Sequence, residues 1–121
     1  MSNQTNSEKR YRRIFYYKDY YISFFTTLDD EVKEKFNWTL QLISSIERVP
    51  TKFLKYIKNS SGIYEVRVEF RSNIYRVFCF FDEGNLIILM NGFKKKTNKT
   101  PIKEIKLAEK IKIEYFDENK K

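Results

Sequence analysis

A cationic segment follows directly after the most apolar stretch of the chain. The apolar stretch, Leu86 to Met90, reads LIILM and has the length of a buried strand. The segment after it, Gly92 to Pro101, reads GFKKKTNKTP. It contains four lysines: Lys94, Lys95, Lys96 and Lys99. Ammonium groups placed this close together favour a surface that binds a polyanion, and the alternative is a solvated loop that serves solubility.

Two arginines lie on strand-like segments before it. Arg67 alternates with apolar residues in YEVRVEF, and Arg76 interrupts the apolar run IYRVFCFF. A charge inside an apolar strand costs free energy unless it has a partner. The structural explanation for Arg76 is an ion pair with Glu65 or Glu69 across the sheet. The functional explanation is an anion site, in which Arg67, Arg76 and Asn91 share the open face of the sheet and meet the lysines at its end.

The chain contains no histidine, which removes several kinds of catalytic site. A Ser-His-Asp triad, a Cys-His pair and the HExxH and C₂H₂ zinc sites all need histidine. The single cysteine, Cys79, lies in an apolar stretch, and the three glycines form no phosphate-binding loop. We therefore expect no metal and no small-molecule cofactor. Any chemistry has to come from Arg, Lys, Tyr, Asp or Glu side chains, or from the substrate itself.

The composition indicates one domain with a basic surface. Of the 121 residues, 41% are hydrophobic and 17% are aromatic, which suffices for a core. We expect residues 1–10 to be a flexible end and residues 11–121 to form the single domain. The net charge of +8 favours nucleic acid, the ribosome or an acidic protein as the partner. The chain shows no signal-peptide core or membrane span, and a lone cysteine fits a reducing compartment, so a cytoplasmic location is predicted.

Four segments have the pattern of β-strands. They are Arg12–Tyr17, Ile63–Phe70, Ile74–Phe81 and Leu86–Asn91. The short turns RSN and DEGN join the last three strands, which predicts an antiparallel meander. On strict alternation, Asn91 shares a face with Ile87 and Leu89.

Two segments have the periodicity of helices. The first begins near Thr27, which has capping-box spacing to Asp30, and Pro50 stops it. Its apolar stripe comprises Val32, Phe36, Leu40 and Ile43 and continues to Glu47. The second begins with Pro101 at the first helical position and Thr100 as the N-cap.

The order of elements predicts the fold class. The segment YYISFF, Tyr20 to Phe25, reads equally as a short helix or as an irregular stretch. The remaining elements run β-α-β-β-β-α. That order predicts an α+β fold with a small antiparallel sheet and with the helices packed on one of its faces.

The second half of the chain resembles a known family. The stretch GIYEVRVEFRSNIYRVFCFFDEGNLIILMNGFKKKTNKTPIKEI resembles the phage-derived HigB-like toxins of the RelE/ParE superfamily. The similar features are YEVRVEF, the IYRVF strand, the FFDEGN turn and NGFKKKTNKTP before the last helix. The resemblance implies a RelE/ParE-like fold and a bacterial, phage-encoded or mobile-element-encoded toxin of a type II toxin–antitoxin pair. It also implies metal-independent cleavage of mRNA on the ribosome, and restraint by a HigA-like helix-turn-helix antitoxin.

The resemblance and the charges together assign four catalytic residues: Arg67, Arg76, Lys94 and Lys96. In such a reaction the 2′-OH of the RNA attacks the adjacent phosphate, and the protein aligns the attack and stabilises charge. Arg76 is expected to hold the scissile phosphate through its guanidinium, and Arg67 to share that charge. A lysine among other cations loses its proton more readily, so Lys94 or Lys96 is the candidate base or acid.

Five further residues are expected to contact the RNA: Glu65, Asn91, Phe93, Lys95 and Lys99. Glu65 is a rival base, and Phe93 either stacks on a nucleobase or packs under the loop. Many relatives carry HGF where this chain reads Asn91-Gly92-Phe93. Since asparagine does not titrate near neutral pH, any acid–base step here has to work without that histidine.

Two alternative functions stay open at this point, beside the plainer reading of a basic α+β domain with neither role. ParE-like proteins share the fold but poison DNA gyrase instead of cutting RNA. A basic relative without catalysis would bind RNA or the ribosome by neutralising phosphates, and Asn91 is the feature that favours this reading.

Overall fold

The computed structural model describes residues 10–95 and 101–119 and confirms the α+β class. Its elements are β1 Arg13–Tyr16, α1 Tyr20–Phe25, α2 Asp30–Ser45, β2 Leu54–Tyr56, β3 Tyr64–Phe70, β4 Asn73–Asp82, β5 Leu86–Lys95 and α3 Ile102–Glu118. The predictions for residues 1–9, and those for Lys96, Lys99 and Thr100, lie outside the described residues.

The five strands form one mixed sheet in the order β1-β5-β4-β3-β2. The predicted meander is confirmed, because β3, β4 and β5 pair antiparallel in sequence order. Two features differ from the expectation. β1 pairs parallel to β5, so the sheet is not wholly antiparallel. β2, which reads LKY, adds a fifth strand at the edge of β3 and is too short to show a period.

The helices cover both faces of the sheet, whereas one covered face was expected. Side chains of α1 and α2 form a core with one face of the sheet; they include Tyr21, Phe36 and Ile43 against Val66, Val77 and Leu89. Side chains of α3 form a second core with the other face; they include Ala108, Ile111 and Tyr115 against Phe80, Ile88 and Met90. The reason lies in β4 and β5, which are apolar on both faces and need cover on each.

The boundaries of α2 differ from those predicted. The helix begins at Asp30 with Asp29 as the N-cap, and the hydroxyl of Thr27 instead donates to the carbonyl of Phe24 at the end of α1. It ends at Ser45, before Pro50. The predicted stripe is buried over Val32, Phe36, Leu40 and Ile43, whereas Glu47 lies exposed beyond the helix.

An arginine side chain satisfies backbone carbonyls at the C-terminus of α2. The guanidinium of Arg12 donates to the carbonyls of Ile43, Ile46 and Glu47 at 2.7 to 3.0 Å and so provides partners for the carbonyls at the C-terminus of α2.

At α3, Pro101 is the N-cap residue with extended backbone, one position before the helix, and not its first residue. Within the described ranges, no helix combines the length and the apolar character that a membrane crossing needs.

Candidate anion-binding site

Glu65 and Arg76 form a buried ion pair on the α3 side of the sheet. Nη1 of Arg76 donates to Oε1 of Glu65 at 2.7 Å, and the two side chains are 4% and 2% exposed. Burial lowers the pKa of Arg76, and the charge of Glu65 opposes that effect. Of the two explanations open for Arg76, the structure shows the ion pair. Neither side chain presents its charge directly to solvent.

Arg67 is the accessible arginine of this site. It lies directly opposite Arg76 across β3 and β4, and its side chain is 28% exposed. Its Nε is 3.7 Å from Oε2 of Glu65 and makes no hydrogen bond within the described part of the chain. One carboxylate therefore lies between two guanidinium groups, and the group as a whole keeps a positive charge.

Lys95 lies next to this group at the end of β5. It pairs with Ile74 of β4, two residues beyond Phe93, which is the partner of Arg76. Burial lowers the pKa of Lys95, and the charges of Arg76, Arg67 and Lys55 lower it further against the opposing effect of Glu65. Lys55 lies on β2, where it pairs with Glu65 of β3, and its charge is one of those that act on Lys95. We call Lys55, Arg67, Arg76 and Lys95, together with Glu65, the cationic cluster.

Lys94 points to the other face of the sheet. Its ammonium group is 5.9 Å from the ring centre of Tyr75, and it lines a cavity with Phe24 and Thr27 at the end of α1. The structure thus separates Lys94 from the arginines and brings Lys95 to them. Lys96 and Lys99, the other two lysines of the segment, lie outside the described residues.

Asn91 reaches the α3 side of the sheet through a β-bulge. Val77 pairs with Gly92 but Cys79 pairs with Leu89, so β5 carries one extra residue opposite Phe78. Nδ2 of Asn91 donates to the backbone oxygen and to Oε1 of Glu104 in α3, at 3.2 and 3.0 Å. The expected shared face with Ile87 and Leu89 is wrong, because the bulge turns Asn91 to the opposite side.

Phe93 is a packing residue in this arrangement. Its ring centre is 5.3 Å from that of Phe78, and the side chain is buried. Of the two roles predicted for Phe93, packing agrees with its position, since little of the ring is open for stacking on a nucleobase.

The cluster has the chemistry of an anion site with one lysine that can transfer a proton. Guanidinium and ammonium groups bind phosphate oxygens, and a lysine with a lowered pKa gives up its proton more readily than an ordinary lysine. Sequence reasoning assigned no role to Lys55 or Glu104. Lys55 lies on the unpredicted β2, and Glu104 lies on α3, whose stripe of Ile102, Ile105, Ala108 and Ile111 was predicted but whose packing on the face of Asn91 was not. Among residues 10–95 and 101–119, no group of three His, Cys, Asp or Glu side chains is placed to hold a metal ion.

The fold and this site define a small basic α+β protein with a cationic cluster on its sheet. Residues 23–112 match the family model described as phage derived protein Gp49-like (DUF891). The match covers most of the chain, which therefore belongs to this family, a group of RelE/ParE-like toxins. A comparison with curated proteins finds no match.

Proposed function

We propose that the chain is the toxin of a type II toxin–antitoxin pair and that it cleaves mRNA on the ribosome without a metal. The observation that carries the proposal is the cationic cluster, in which Lys95 with a lowered pKa lies beside the accessible Arg67. Family membership supports the toxin role. The resemblance to HigB-like toxins supports the reaction, the cytoplasmic location and a HigA-like helix-turn-helix antitoxin as the partner.

The reaction uses a nucleophile that the RNA itself provides. The 2′-OH attacks the adjacent phosphorus, its oxygen forms a bond to phosphorus, and the bond to the 5′-oxygen breaks. The products are a 2′,3′-cyclic phosphate and a 5′-OH. The protein has to hold the phosphate in line, offset the extra negative charge and take the proton from the 2′-OH, and the leaving 5′-oxygen takes up a proton from the protonated base or from water.

The burial of Arg76 changes how these tasks are divided. Arg67, the exposed member of the arginine pair, contacts the phosphate oxygens. Arg76, held by Glu65, is a positioning residue that keeps Glu65 in place and offsets its negative charge next to Arg67. Lys95 takes the base role first assigned to Lys94 or Lys96, because burial and the neighbouring cations favour its neutral amine.

A second candidate function is RNA or ribosome binding without catalysis. It is favoured by Asn91, whose amide is bound to Glu104 and cannot supply the proton transfer of a histidine. In that case the cluster neutralises phosphates, and Lys95 contributes only its charge.

Primer extension on a reporter mRNA in a reconstituted translation system tests the proposal. Wild-type protein should produce breaks at defined positions that require ribosomes, and Arg67→Gln and Lys95→Gln should reduce them by about 100-fold, the usual size of a lost acid–base or charge-stabilising group. Lys94→Gln is the matched control, since it removes the same charge one residue away on the other face of the sheet. It should cleave like wild type.

The other outcomes point to other functions. Ribosome binding without breaks would support the non-catalytic reading. Intact mRNA together with a DNA-damage response in expressing cells would move the assignment to gyrase poisoning.

A further inference from the structure

A groove opens beside β3 where its pairing with β2 stops. β2 pairs only with Tyr64–Val66, and the backbone N–H of Arg67 then donates to the carbonyl of Phe53. Beyond that point the outer edge of β3 borders a groove of about 320 Å³, lined among others by Lys35, Lys52, Phe53 and Arg67. Arg67 belongs both to this groove and to the cationic cluster, so the two surfaces are continuous.

The groove carries a positive charge. Three cationic residues, Lys35, Lys52 and Arg67, line it, and Glu69 is its only acidic lining residue among those described. Nζ of Lys35 is held 2.7 Å from the backbone oxygen of Glu69, at the unpaired edge of β3. Nζ of Lys52 lies 5.2 Å from the ring centre of Phe53. A polyanion that follows the groove therefore meets successive cations.

An exposed tryptophan stands at the outer end of the groove. Trp38 is 54% exposed, and its ring centre is 5.8 Å from that of Phe53 in an edge-to-face contact. It lies three residues after Lys35 on α2, hence on the same side of that helix. Glu31 and Glu34 lie near Trp38 beyond the groove, and Glu31 is paired with Arg71 at 3.5 Å.

We propose that this groove guides single-stranded RNA away from the cationic cluster, with phosphates on Lys52 and Lys35 and an unpaired base stacked on Trp38. Alternating cations and aromatic rings are the means by which proteins bind single strands without sequence preference. Duplexes fit poorly, because their bases are already stacked and paired. The inference deepens the proposed function and rests on it, since it extends the path of the same RNA.

The fluorescence of Trp38 can report RNA binding, because Trp38 is the only tryptophan of the chain. A single-stranded RNA of about 12 nucleotides should quench its fluorescence on titration, whereas a duplex of equal length should not. Trp38→Ala should weaken the affinity of labelled RNA by roughly 5- to 100-fold, the range for one lost stacking contact. The Lys35→Gln/Lys52→Gln variant should lower the salt dependence of binding by about 1.4 in slope, for two phosphate contacts.

The exposed positions of Lys35, Trp38 and Lys52 keep these substitutions away from the core. Lys110, an exposed lysine of α3, is the matched control, and Lys110→Gln should bind like wild type. Fluorescence that does not respond to RNA, equal quenching by the duplex, or unchanged affinity in the variants would each overturn the inference. None of these results measures cleavage, which Lys95→Gln reports separately, so a failure of the groove and a failure of the proposed cleavage can be told apart.

Discussion

Glu65 lies between two arginines and holds the buried one, Arg76, at 2.7 Å. Arg67 and Arg76 are direct cross-strand partners, an arrangement in which like charges repel each other. The carboxylate offsets that repulsion and satisfies a cation that is 4% exposed. The pair therefore supports the fold of the sheet, while the net positive charge of the site comes from Arg67 and the lysines.

The stability of the sheet should depend on both members of this pair together. Glu65→Leu or Arg76→Met alone removes one member of the buried ion pair, which should lower the free energy of unfolding by about 3 kcal/mol or more. The double variant replaces both by apolar groups and should recover most of that loss. Urea denaturation followed by circular dichroism measures the free energy of unfolding of each variant. If the loss in the double variant equals the sum of the two single losses, the two residues are not coupled.

Gly92 is required by the packing of α1 against β5. A Cβ at this position would lie 2.7 Å from Cγ of Phe24, closer than side chains pack. Gly92→Ala should therefore cost about 1–3 kcal/mol through overpacking. Adding Phe24→Leu to Gly92→Ala opens space and should restore part of the lost free energy of unfolding. Urea denaturation compares the single and the double variant. If the double variant is no more stable than Gly92→Ala, the contact with Phe24 is not the cause.

The meander was predictable because its pattern is local. Period-two alternation in YEVRVEF and the turns RSN and DEGN fix three strands without any knowledge of their neighbours. The stripe of α2 was predictable for the same reason. Its exact start was not, because the hydroxyl of Thr27 has a competing acceptor at the end of α1.

The site was less predictable because it depends on register. One extra residue on β5 turns Asn91 to the side of α3, and a one-residue offset decides that Lys95 and not Lys94 meets the arginines. No local pattern in NGFKKK marks that bulge. The pairing of Glu65 with Arg76 could be stated from the sequence only as an alternative, since it needs the alignment of β3 on β4.

Two tyrosines should make the fold sensitive to alkaline pH. Burial, and hydrogen bonds to Glu118 and Asp82, raise the pKa of Tyr17 and of Tyr115 to about 12. In the unfolded chain these groups titrate near pH ~10, so their stabilisation is complete below that pH and is lost as the pH rises towards about 12.

Two measurements check that expectation: the free energy of unfolding over this alkaline range, and an absorbance titration of the phenols. In Tyr17→Phe and Tyr115→Phe the decline should be shallower, because one group no longer contributes to it. An equal decline in wild type and in both variants would assign the alkaline loss of stability to other groups.

The role of Lys95 can be separated from its charge by pH and by a conservative substitution. Because its pKa is lowered by burial and by nearby cations, the neutral amine should form below the pH of ~10.4 at which an ordinary lysine titrates. Single-turnover cleavage on stalled ribosomes should therefore rise with pH and level off below that value.

Lys95→Arg keeps the charge but not the proton transfer, since arginine stays protonated. It should bind RNA like wild type, cleave about 100-fold more slowly and lose the rise with pH. Lys94→Arg, on the other face, should keep both the rate and the profile, and a Lys95→Arg protein of undiminished rate would reduce Lys95 to a phosphate contact.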